Sequence, residues 1–283
     1  MTTVYDTPAS NRADDRRGAD RMKCRSGPQE QVRIADLLSL FPQGGATVLD
    51  IGARDGYISR RLADVFEHVV ALDLTTPVIH HAQVTCVVGD VTCLPYPDKA
   101  FDAALCAELL EHLPSELLPI ACAEISRVVK YDVVIGVPYR QDIRLSRTTC
   151  PACRKINPPW GHVNTFDEQR LRSLFHSLRA VNFSYVGTTR ARTNWLSAKL
   201  MDLAGNPFGT YNQEEPCIFC GAELSAPTHR TSVRRVFSRL ATLLRRAQES
   251  FVKSRPKWVH VRFSKSHHIK VAVSPTRTTE FPA

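Results

Sequence analysis

Three acidic residues follow apolar segments in the first half of the chain, where their carboxylates could bind one small molecule. Asp50 lies in "VLDIGARDGY", which continues with Gly52 and Gly56, while Asp73 and Asp90 end "VALD" and "VVGD". If these segments are neighbouring parallel strands, their carboxyl ends meet at the edge of the sheet where such folds bind ligands. A carboxylate about twenty residues after a glycine turn accepts hydrogen bonds from ribose hydroxyls. The spacing therefore predicts a nucleotide site, in which Asp90 accepts a hydrogen bond from an adenine amino group.

The middle of the glycine turn carries Arg54, where a dinucleotide-binding loop has a glycine. That glycine lets a pyrophosphate approach the backbone, so Arg54 disfavours a nicotinamide dehydrogenase and favours a nucleotide without a pyrophosphate. Each feature alone also has an ordinary explanation, because glycines close structural turns and acids at strand ends cap helices. Three acids at three successive strand ends favour the ligand site over that explanation.

Alternating strands and helices are predicted around these residues. An amphipathic helix beginning at Glu30 comes first. Strands follow at 47–51, 69–72, 84–88, 103–106 and 133–137, with helices at 57–66, 78–82 and 115–128. Apolar strands separated by helices indicate a parallel sheet that is covered on both faces.

Beyond residue 138 the pattern is less regular. The predicted elements are a helix at 167–178 capped by Thr165 or Asp167, a strand at 181–188, an irregular stretch at 194–226 and a basic amphipathic helix at 232–252. "VHVRF" and "IKVAV" have the apolar alternation of closing strands. The second half is therefore expected to add elements around the sheet, and it contains no internal repeat of the first half.

Residues 46–137 resemble a class I S-adenosylmethionine-dependent methyltransferase of the group similar to the ubiquinone and menaquinone methyltransferases. "VLDIGARDGY" matches the family's first motif, Asp73 and Asp90 match its acids after the second and third strands, and "LPYPDKAFDAALCAELLEHLP" resembles its fourth-strand motif. The resemblance implies a Rossmann-like α/β fold, with a seven-stranded sheet and helices on both faces, that binds S-adenosylmethionine. The cofactor-binding residues that it implies are Asp50, Gly52, Ala53, Arg54, Gly56, Tyr57, Asp73, Leu74, Asp90, Val91, Ala107 and Glu108.

The same resemblance implies an in-line displacement, in which a substrate nucleophile attacks the sulfonium methyl group. A hydroxyl acceptor has to lose its proton, so a base near the end of the fourth strand would help. His112 in "ELLEHLP" is the candidate for this catalytic role, and packing against or capping the next helix is the alternative. Glu108 is expected to lie beside the cofactor and not to act as the base.

Two Cys-x-x-Cys motifs predict a metal site. Cys150 and Cys153 lie in "CPAC", and Cys217 and Cys220 lie in "CIFCG", with 63 residues between the two motifs. Each motif supplies two thiolates, so the two together would complete a zinc site with four thiolate ligands if the fold brings them together. A redox pair or unrelated thiols are the alternatives, but a redox motif usually opens a helix after a strand. The other cysteines lack such spacing and are expected to be core or surface thiols: Cys24, Cys86, Cys93, Cys106 and Cys122.

The stretch "CPACRKINPPWGHVNTFDEQRLRSLF" also resembles a methyltransferase subgroup that has a zinc knuckle after the fifth strand. In that subgroup the knuckle is followed by a Gly-His pair, which here contains His162. His162 is interpreted as a lid residue that faces the substrate, with a zinc ligand or an ordinary loop residue as the alternatives. Trp160 and Tyr139 are predicted to wall the same acceptor pocket, or else to have a role in the core or an interface.

Positive charge is concentrated in one segment. The chain has a net charge of +9, and residues 229–270 carry twelve Lys or Arg against Glu249, so that this segment carries +11. Within it, apolar residues recur at helical spacing in "SVRRVFSRLATLLRRAQESFV". We expect this helix to dock on the domain with its basic face in solvent. Binding to anionic lipid is the next alternative, followed by attraction of a phosphorylated or nucleic-acid partner.

These predictions divide the chain into four units. They are an arm at 1–28, a methyltransferase core at 29–190, a cysteine-containing insertion at 191–228 that pairs with the 150–153 motif, and a basic helix with closing strands at 229–283. The N-terminus lacks the apolar core of a signal peptide, and no apolar run approaches the roughly 18 residues of a membrane span. We therefore expect a cytoplasmic protein, peripheral to the inner face of the membrane if the basic helix binds lipid.

The function predicted from the sequence is O-methylation of a small molecule, a sugar or a glycolipid intermediate. The +11 segment supports RNA methylation as an alternative. A non-catalytic protein that keeps the fold is a third possibility, which Arg54 raises because it departs from the usual glycine turn.

Overall fold

The computed structural model describes residues 27–42, 45–228 and 231–265. The helices are α1 (Pro28–Ser39), α2 (Tyr57–Leu62), α3 (Leu118–Val128), α4 (Glu168–Leu174), α5 (Trp195–Leu203) and α6 (Ser232–Glu249). The strands are β1 (Gly45–Ile51), β2 (Phe66–Asp73), β3 (Val84–Val88), β4 (Phe101–Ala107), β5 (Val129–Pro138), β6 (Thr148–Thr149), β7 (Ile156–Asn157), β8 (Arg179–Thr189) and β9 (Arg255–Ser264). Single 3-10 turns lie at Leu110–His112 and Pro159–Gly161.

Seven strands form one sheet in the order β3-β2-β1-β4-β5-β9-β8. Strands β1 to β5 are parallel, β9 is antiparallel to β5, and β8 is antiparallel to β9. The predicted seven-stranded α/β sheet is therefore confirmed, and it is mixed, with an antiparallel pair at one edge. Strands β6 and β7 form a separate small hairpin.

The register brings the carboxyl ends of the central strands to one level. Ile51 in β1 lies opposite Leu72 in β2 and Cys106 in β4. The residues that follow these three positions therefore emerge side by side at the same edge of the sheet. This is the edge at which a parallel sheet binds ligands.

Apolar helices cover both faces of the sheet. On one face, α3 contributes Leu118 and Ile125 to a core that also contains Phe175 and Phe263. On the other face, α1 and α2 pack Leu37, Leu62 and their neighbours over β1 and β4. Gly136 in β5 allows the close approach of α1, because a Cβ atom there would lie 2.8 Å from Leu37 Cδ2.

Three element predictions are wrong. Residues 78–82 form no helix, because this short segment follows Pro77 and its Ile79 packs against Ala53 and Ala71 instead. The stretch at 194–226 contains helix α5, whose start is capped by Asn194, since its side chain accepts a hydrogen bond from Ser197 N at 2.7 Å. Helix α2 ends at Leu62, well short of the predicted residue 66.

Several other boundaries agree closely with the sequence, although α4 ends at Leu174, four residues before the predicted end. Strand β3 has the predicted bounds, and Asp167, one of the two predicted caps, accepts a hydrogen bond from Arg170 N at 2.9 Å. "IKVAV" and most of the predicted 1–28 arm lie outside the described residues. The division of the chain into four units stays a prediction.

Candidate functional site

The turn after β1 is held against the end of β2. Gly52 and Ala53 both donate backbone hydrogen bonds to Leu72 O, at 2.8 and 3.1 Å. Gly52, Arg54 and Gly56 all have positive φ angles, of 80°, 49° and 69°. Two of these three left-handed positions are therefore glycines, and the third costs Arg54 some backbone strain. The result is a tight turn whose amides face the edge of the sheet.

Asp73 is connected directly to this turn. Its Oδ2 accepts a hydrogen bond from Arg54 N at 2.9 Å, and its Oδ1 accepts a weaker one from Thr75 N at 3.4 Å. The neighbouring Leu74 side chain is 72% exposed. A half-exposed carboxylate and an uncovered apolar side chain thus lie together at the end of β2.

The other two acids have local partners. Asp50 is buried, and Ser59 Oγ donates to its Oδ2 at 2.5 Å, which fixes α2 to the end of β1. Asp90 is exposed and accepts from Thr92 N and Oγ1, both at 2.8 Å, beside the buried Val91. Both carboxylates therefore also have a structural role, because each one accepts local hydrogen bonds.

The end of β4 carries Ala107 and Glu108. Glu108 N donates to Gly136 O at 2.9 Å, and its φ angle of 54° turns the chain away from the sheet. The carboxylate lies 3.7 Å from the Arg33 guanidinium of α1. Burial raises the pKa of Glu108, and the charge of Arg33 opposes that rise.

Two histidines meet next to this strand end. The rings of His112 and His162 are nearly perpendicular, with centroids 4.6 Å apart, and His162 Nδ1 lies 2.7 Å from Gln141 Oε1. Burial, assisted by the charge of Arg54, lowers the pKa of His112 to about 4. Burial, assisted by His112, lowers the pKa of His162 to about 3. Both imidazoles are therefore neutral at pH 7, so that each ring has one nitrogen without a proton.

Glu111 is a candidate site residue that the sequence analysis missed. Its side chain is fully buried, and neither carboxyl oxygen has a hydrogen-bond partner in the described part of the chain. A carboxyl oxygen of Glu111 and one ring nitrogen each of His112 and His162 could serve as metal ligands, and these atoms lie within 4.8 Å of one another. Burial, with Glu108 second, raises the pKa of Glu111 well above its usual value, which favours the neutral carboxyl. In the sequence, its position directly before His112 was the feature that could have identified it.

The two predicted aromatic wall residues have different surroundings. The Trp160 ring is 47% exposed, with its centroid 6.0 Å from that of His162, and its backbone N donates to Gln213 Oε1 at 2.7 Å. Tyr139 instead donates its hydroxyl to Glu168 Oε1 at 2.9 Å. Trp160 therefore joins the histidine pair, whereas Tyr139 lies with Glu168 at the end of β5.

The two cysteine motifs come together. Cys150 Sγ is 3.7 Å from Cys220 Sγ, Cys153 Sγ is 3.6 Å from Cys217 Sγ, and all four sulfur atoms lie within 4.8 Å of one another. Thiolates on a tetrahedral zinc ion with Zn–S bonds of about 2.3 Å are about 3.8 Å apart. The donor set and its spacing therefore fit a zinc ion with four sulfur ligands, and His162 lies with His112 instead.

Both motifs also fold in the same way. Arg154 N donates to Cys150 O at 3.1 Å, and Gly221 N donates to Cys217 O at 2.8 Å. Arg154 and Gly221 have φ angles of 60° and 71°, so each turn reverses through a left-handed residue just after its second cysteine. Such paired turns present two sulfur atoms each to a common centre. A redox pair would need only one of them.

The cysteine-bearing segment contacts the turn after β1. The guanidinium of Arg54 lies 3.1 Å from Glu214 Oε2 and 3.6 Å from Glu215 Oε1. A Cβ atom at Gly161 would lie within 4 Å of both Glu215 and His112. The turn, the histidine pair and the cysteine cluster therefore form one continuous region.

A family profile described as a methyltransferase domain matches residues 49–135, which run from β1 into β5 and contain the turn, the acids and His112. Residues 49–135 form a methyltransferase domain. The predicted fold family is thus confirmed by a match that is independent of the geometry.

Curated relatives of this methyltransferase domain include two ubiquinone biosynthesis O-methyltransferases. The Xylella fastidiosa protein is 31% identical over 116 residues, which cover 35% of this chain and 47% of that protein. The Xanthomonas campestris protein is 32% identical over 124 residues, which cover 38% and 52%. The chain therefore spans about half the length of the curated relatives that it matches.

Solved structures share the fold over a longer range. A chain from the complex between the Haloferax volcanii Trm112 methyltransferase activator and a methyltransferase covers 94% of this chain and 100% of its own, with 15% identity and a TM-score of 0.50. A Bacillus halodurans protein solved as a methyltransferase covers 82% and 98%, with 15% identity and a TM-score of 0.50. At this identity the likeness supports the fold alone.

Proposed function

We propose that this chain transfers a methyl group from S-adenosylmethionine to a hydroxyl group of a small-molecule acceptor, such as a sugar or glycolipid intermediate. The observation that carries the proposal is the position of His112, whose ring lies against that of His162 near the turn after β1, because a hydroxyl acceptor needs a proton acceptor at that point. The O-methyltransferase relatives support a hydroxyl acceptor.

The end of β2 fits the nucleoside part of the cofactor. In this proposal Asp73 accepts hydrogen bonds from the ribose hydroxyls, and the exposed Leu74 covers one face of the adenine. Asp90 and Val91 contact the other end of the base. Arg54, held by its amide to Asp73, closes the turn over the ribose.

The turn and the end of β4 receive the methionine part of the cofactor. The residues assigned there are Asp50, Gly52, Ala53, Gly56, Tyr57, Ala107 and Glu108. When bound, S-adenosylmethionine supplies the electrophilic methyl group. The chain contributes mainly by holding the acceptor in line with that group in a site that excludes water.

His112 accepts the proton that the acceptor hydroxyl loses as its oxygen bonds to the methyl carbon, while the sulfur–methyl bond breaks and S-adenosylhomocysteine leaves. His162 positions the ring of His112 by edge-to-face contact and is itself fixed by Gln141. Trp160 shields this region from solvent, and Tyr139 lines the part of the acceptor pocket nearer Glu168. A neutral Glu111 beneath the pair avoids a second charge next to the reacting centre.

The four cysteines would hold a structural zinc ion. Its role in this proposal is to fix the segment that carries Glu214 against the turn, through Arg54. The chemistry of four thiolates without an open position suits a structural ion.

Calorimetry with S-adenosylmethionine and S-adenosylhomocysteine tests the proposal. We expect both to bind, and Asp73→Ala to weaken binding at least tenfold, whereas Asp64→Ala, a change of an exposed acid after α2, leaves it unchanged. Absence of binding by the wild type, or equal binding by Asp73→Ala, would favour a non-catalytic protein and refute the proposal. If methyl groups were incorporated into RNA and not into any small hydroxyl compound, the acceptor would be RNA and not a small molecule.

A further inference from the structure

Helix α6 packs on the rest of the protein through small residues and not through its apolar series. Ser238 and Ala241 are its buried residues, and Ala241 O accepts a hydrogen bond from Ser197 Oγ of α5 at 2.8 Å. The predicted docking of this helix therefore occurs, but on the face where the side chains are smallest. Phe237 is half-buried, but the other large apolar side chains of α6 are at least 36% exposed in the described part of the chain.

Those side chains form what we call the α6 apolar stripe. They recur at helical spacing and are exposed to between 36% and 62%: Val233, Val236, Leu240, Leu243 and Leu244. Phe251, just beyond the helix, is 90% exposed. Leu243 also lines a groove of about 370 Å³ with Phe208, Arg239 and Arg246. A row of large apolar side chains this exposed along one helix favours a binding surface over isolated exposed residues.

Arginines flank the stripe on one side. Arg235, Arg239 and Arg246 are exposed, follow each other at helical spacing, and form no ion pair within the described residues. The single acid of α6, Glu249, lies beside Arg246 but is paired with Arg245 at 2.6 Å. The flank of the stripe therefore carries a net positive charge.

We propose that the α6 apolar stripe lies on a membrane surface that contains anionic phospholipid. The stripe enters the boundary between headgroups and acyl chains, and the three arginines bind headgroup phosphates at its margin. An amphipathic helix with a narrow apolar face and a cationic flank has the two features that such binding requires. The proposal is independent of the acceptor and of the methyl transfer.

Two other occupants fit less well. A nucleic acid would neutralise the arginines but leave the apolar stripe in water, and it would favour aromatic side chains between the charges. A second copy of this chain packed antiparallel on the stripe would bring the same arginines together across a two-fold axis, where they repel each other. Only an anionic lipid surface matches the apolar and the charged part at once.

Vesicle flotation tests the proposal with the full chain. We expect binding to phosphatidylcholine vesicles containing phosphatidylglycerol at least tenfold stronger than binding to phosphatidylcholine alone, and weakened by salt. Leu240→Ser with Leu243→Ser is expected to lower binding at least tenfold. The control is Ile120→Ser with Val181→Ser, which changes two apolar residues exposed to a similar degree, at 48% and 42%, on other elements. This control is expected to bind as the wild type does.

Charge reversal separates the electrostatic contribution of the arginines from the apolar contribution of the stripe. Arg239→Glu with Arg246→Glu is expected to abolish the preference for phosphatidylglycerol, whereas Arg172→Glu with Arg179→Glu, two exposed arginines elsewhere, preserves it. Far-UV circular dichroism confirms that each variant is folded. Equal binding to both kinds of vesicle, unchanged binding of the stripe variants, or a change in sedimentation of the free protein without vesicle binding would overturn the proposal.

Discussion

The Arg54 guanidinium lies 3.1 Å from the Glu214 carboxylate and so connects the turn after β1 to the segment that carries Cys217 and Cys220. The amide of the same arginine donates to Asp73. One residue therefore joins the cysteine cluster to the acid at the end of β2. Arg54, which departs from a glycine-rich loop, is explained by this contact.

Replacing Arg54 by Ala is expected to lower the affinity for S-adenosylmethionine only a few-fold. The side chain is 44% exposed, and exposed ion pairs contribute about 1 kcal/mol or less. Calorimetry measures the change, and Arg54→Lys is the matched control because it keeps the charge toward Glu214. A loss of a hundredfold or more would mean that the guanidinium binds the cofactor itself.

Replacing His112 by Asn is expected to lower the rate of methyl transfer about 100-fold, as for loss of a general base. Because the pKa of His112 is lowered to about 4, the wild-type imidazole stays neutral from pH 8 down to pH 5. The rate that depends on it should therefore stay level across this range. Affinity for S-adenosylhomocysteine, measured in parallel, should be unchanged. A rate that falls steeply below pH 7, or an equally active variant, would refute the assignment.

Replacing Glu111 by Gln is expected to stabilise the protein at pH 8 relative to pH 5. Burial raises the pKa of the folded carboxyl, so the stability that Glu111 contributes is present below its unfolded pKa and is lost as the pH rises through its folded pKa. Urea unfolding of both proteins at the two pH values measures the difference. Glu116→Gln, an exposed acid close by, should show no such dependence. A destabilised Glu111→Gln protein at pH 8 would mean that Glu111 acts as a bound anion.

The purified protein is expected to contain about one zinc ion per chain, and Cys217→Ser should lose most of it. Because binding energy at such a site is folding energy, we also expect a lower thermal midpoint, by more than about 5 °C. Elemental analysis and calorimetric melting measure the two effects. Cys93→Ser, an exposed cysteine outside the cluster, is the control and should retain both zinc and stability. A zinc content far below one ion per chain in the wild type would refute the assignment of a structural zinc ion.

The membrane question has one direct finding besides the α6 stripe. Among the described helices, none is both long and apolar enough to cross a bilayer.

Local sequence determined the central part of the fold. Strands β1 to β5 are short apolar runs between turn residues, and their parallel arrangement follows from the helices between them. Because parallel strands end at one edge, the positions of Asp73 and His112 near that edge followed from the same pattern. Local pattern failed at 78–82, where Ile79 gains more by packing on Ala53 and Ala71 than by joining a short helix.

Only the tertiary structure decided which distant residues meet. Arg54 and Glu214 are 160 positions apart, and Cys153 and Cys217 are 64 apart, so no local preference brings them together. The burial of Glu111 likewise depends on the loop that carries His162. The periodicity of α6 showed an apolar face, but which face packs depends on the surface that α5 offers. Local propensity fixes the elements, and the long-range packing of side chains fixes what they present to a ligand.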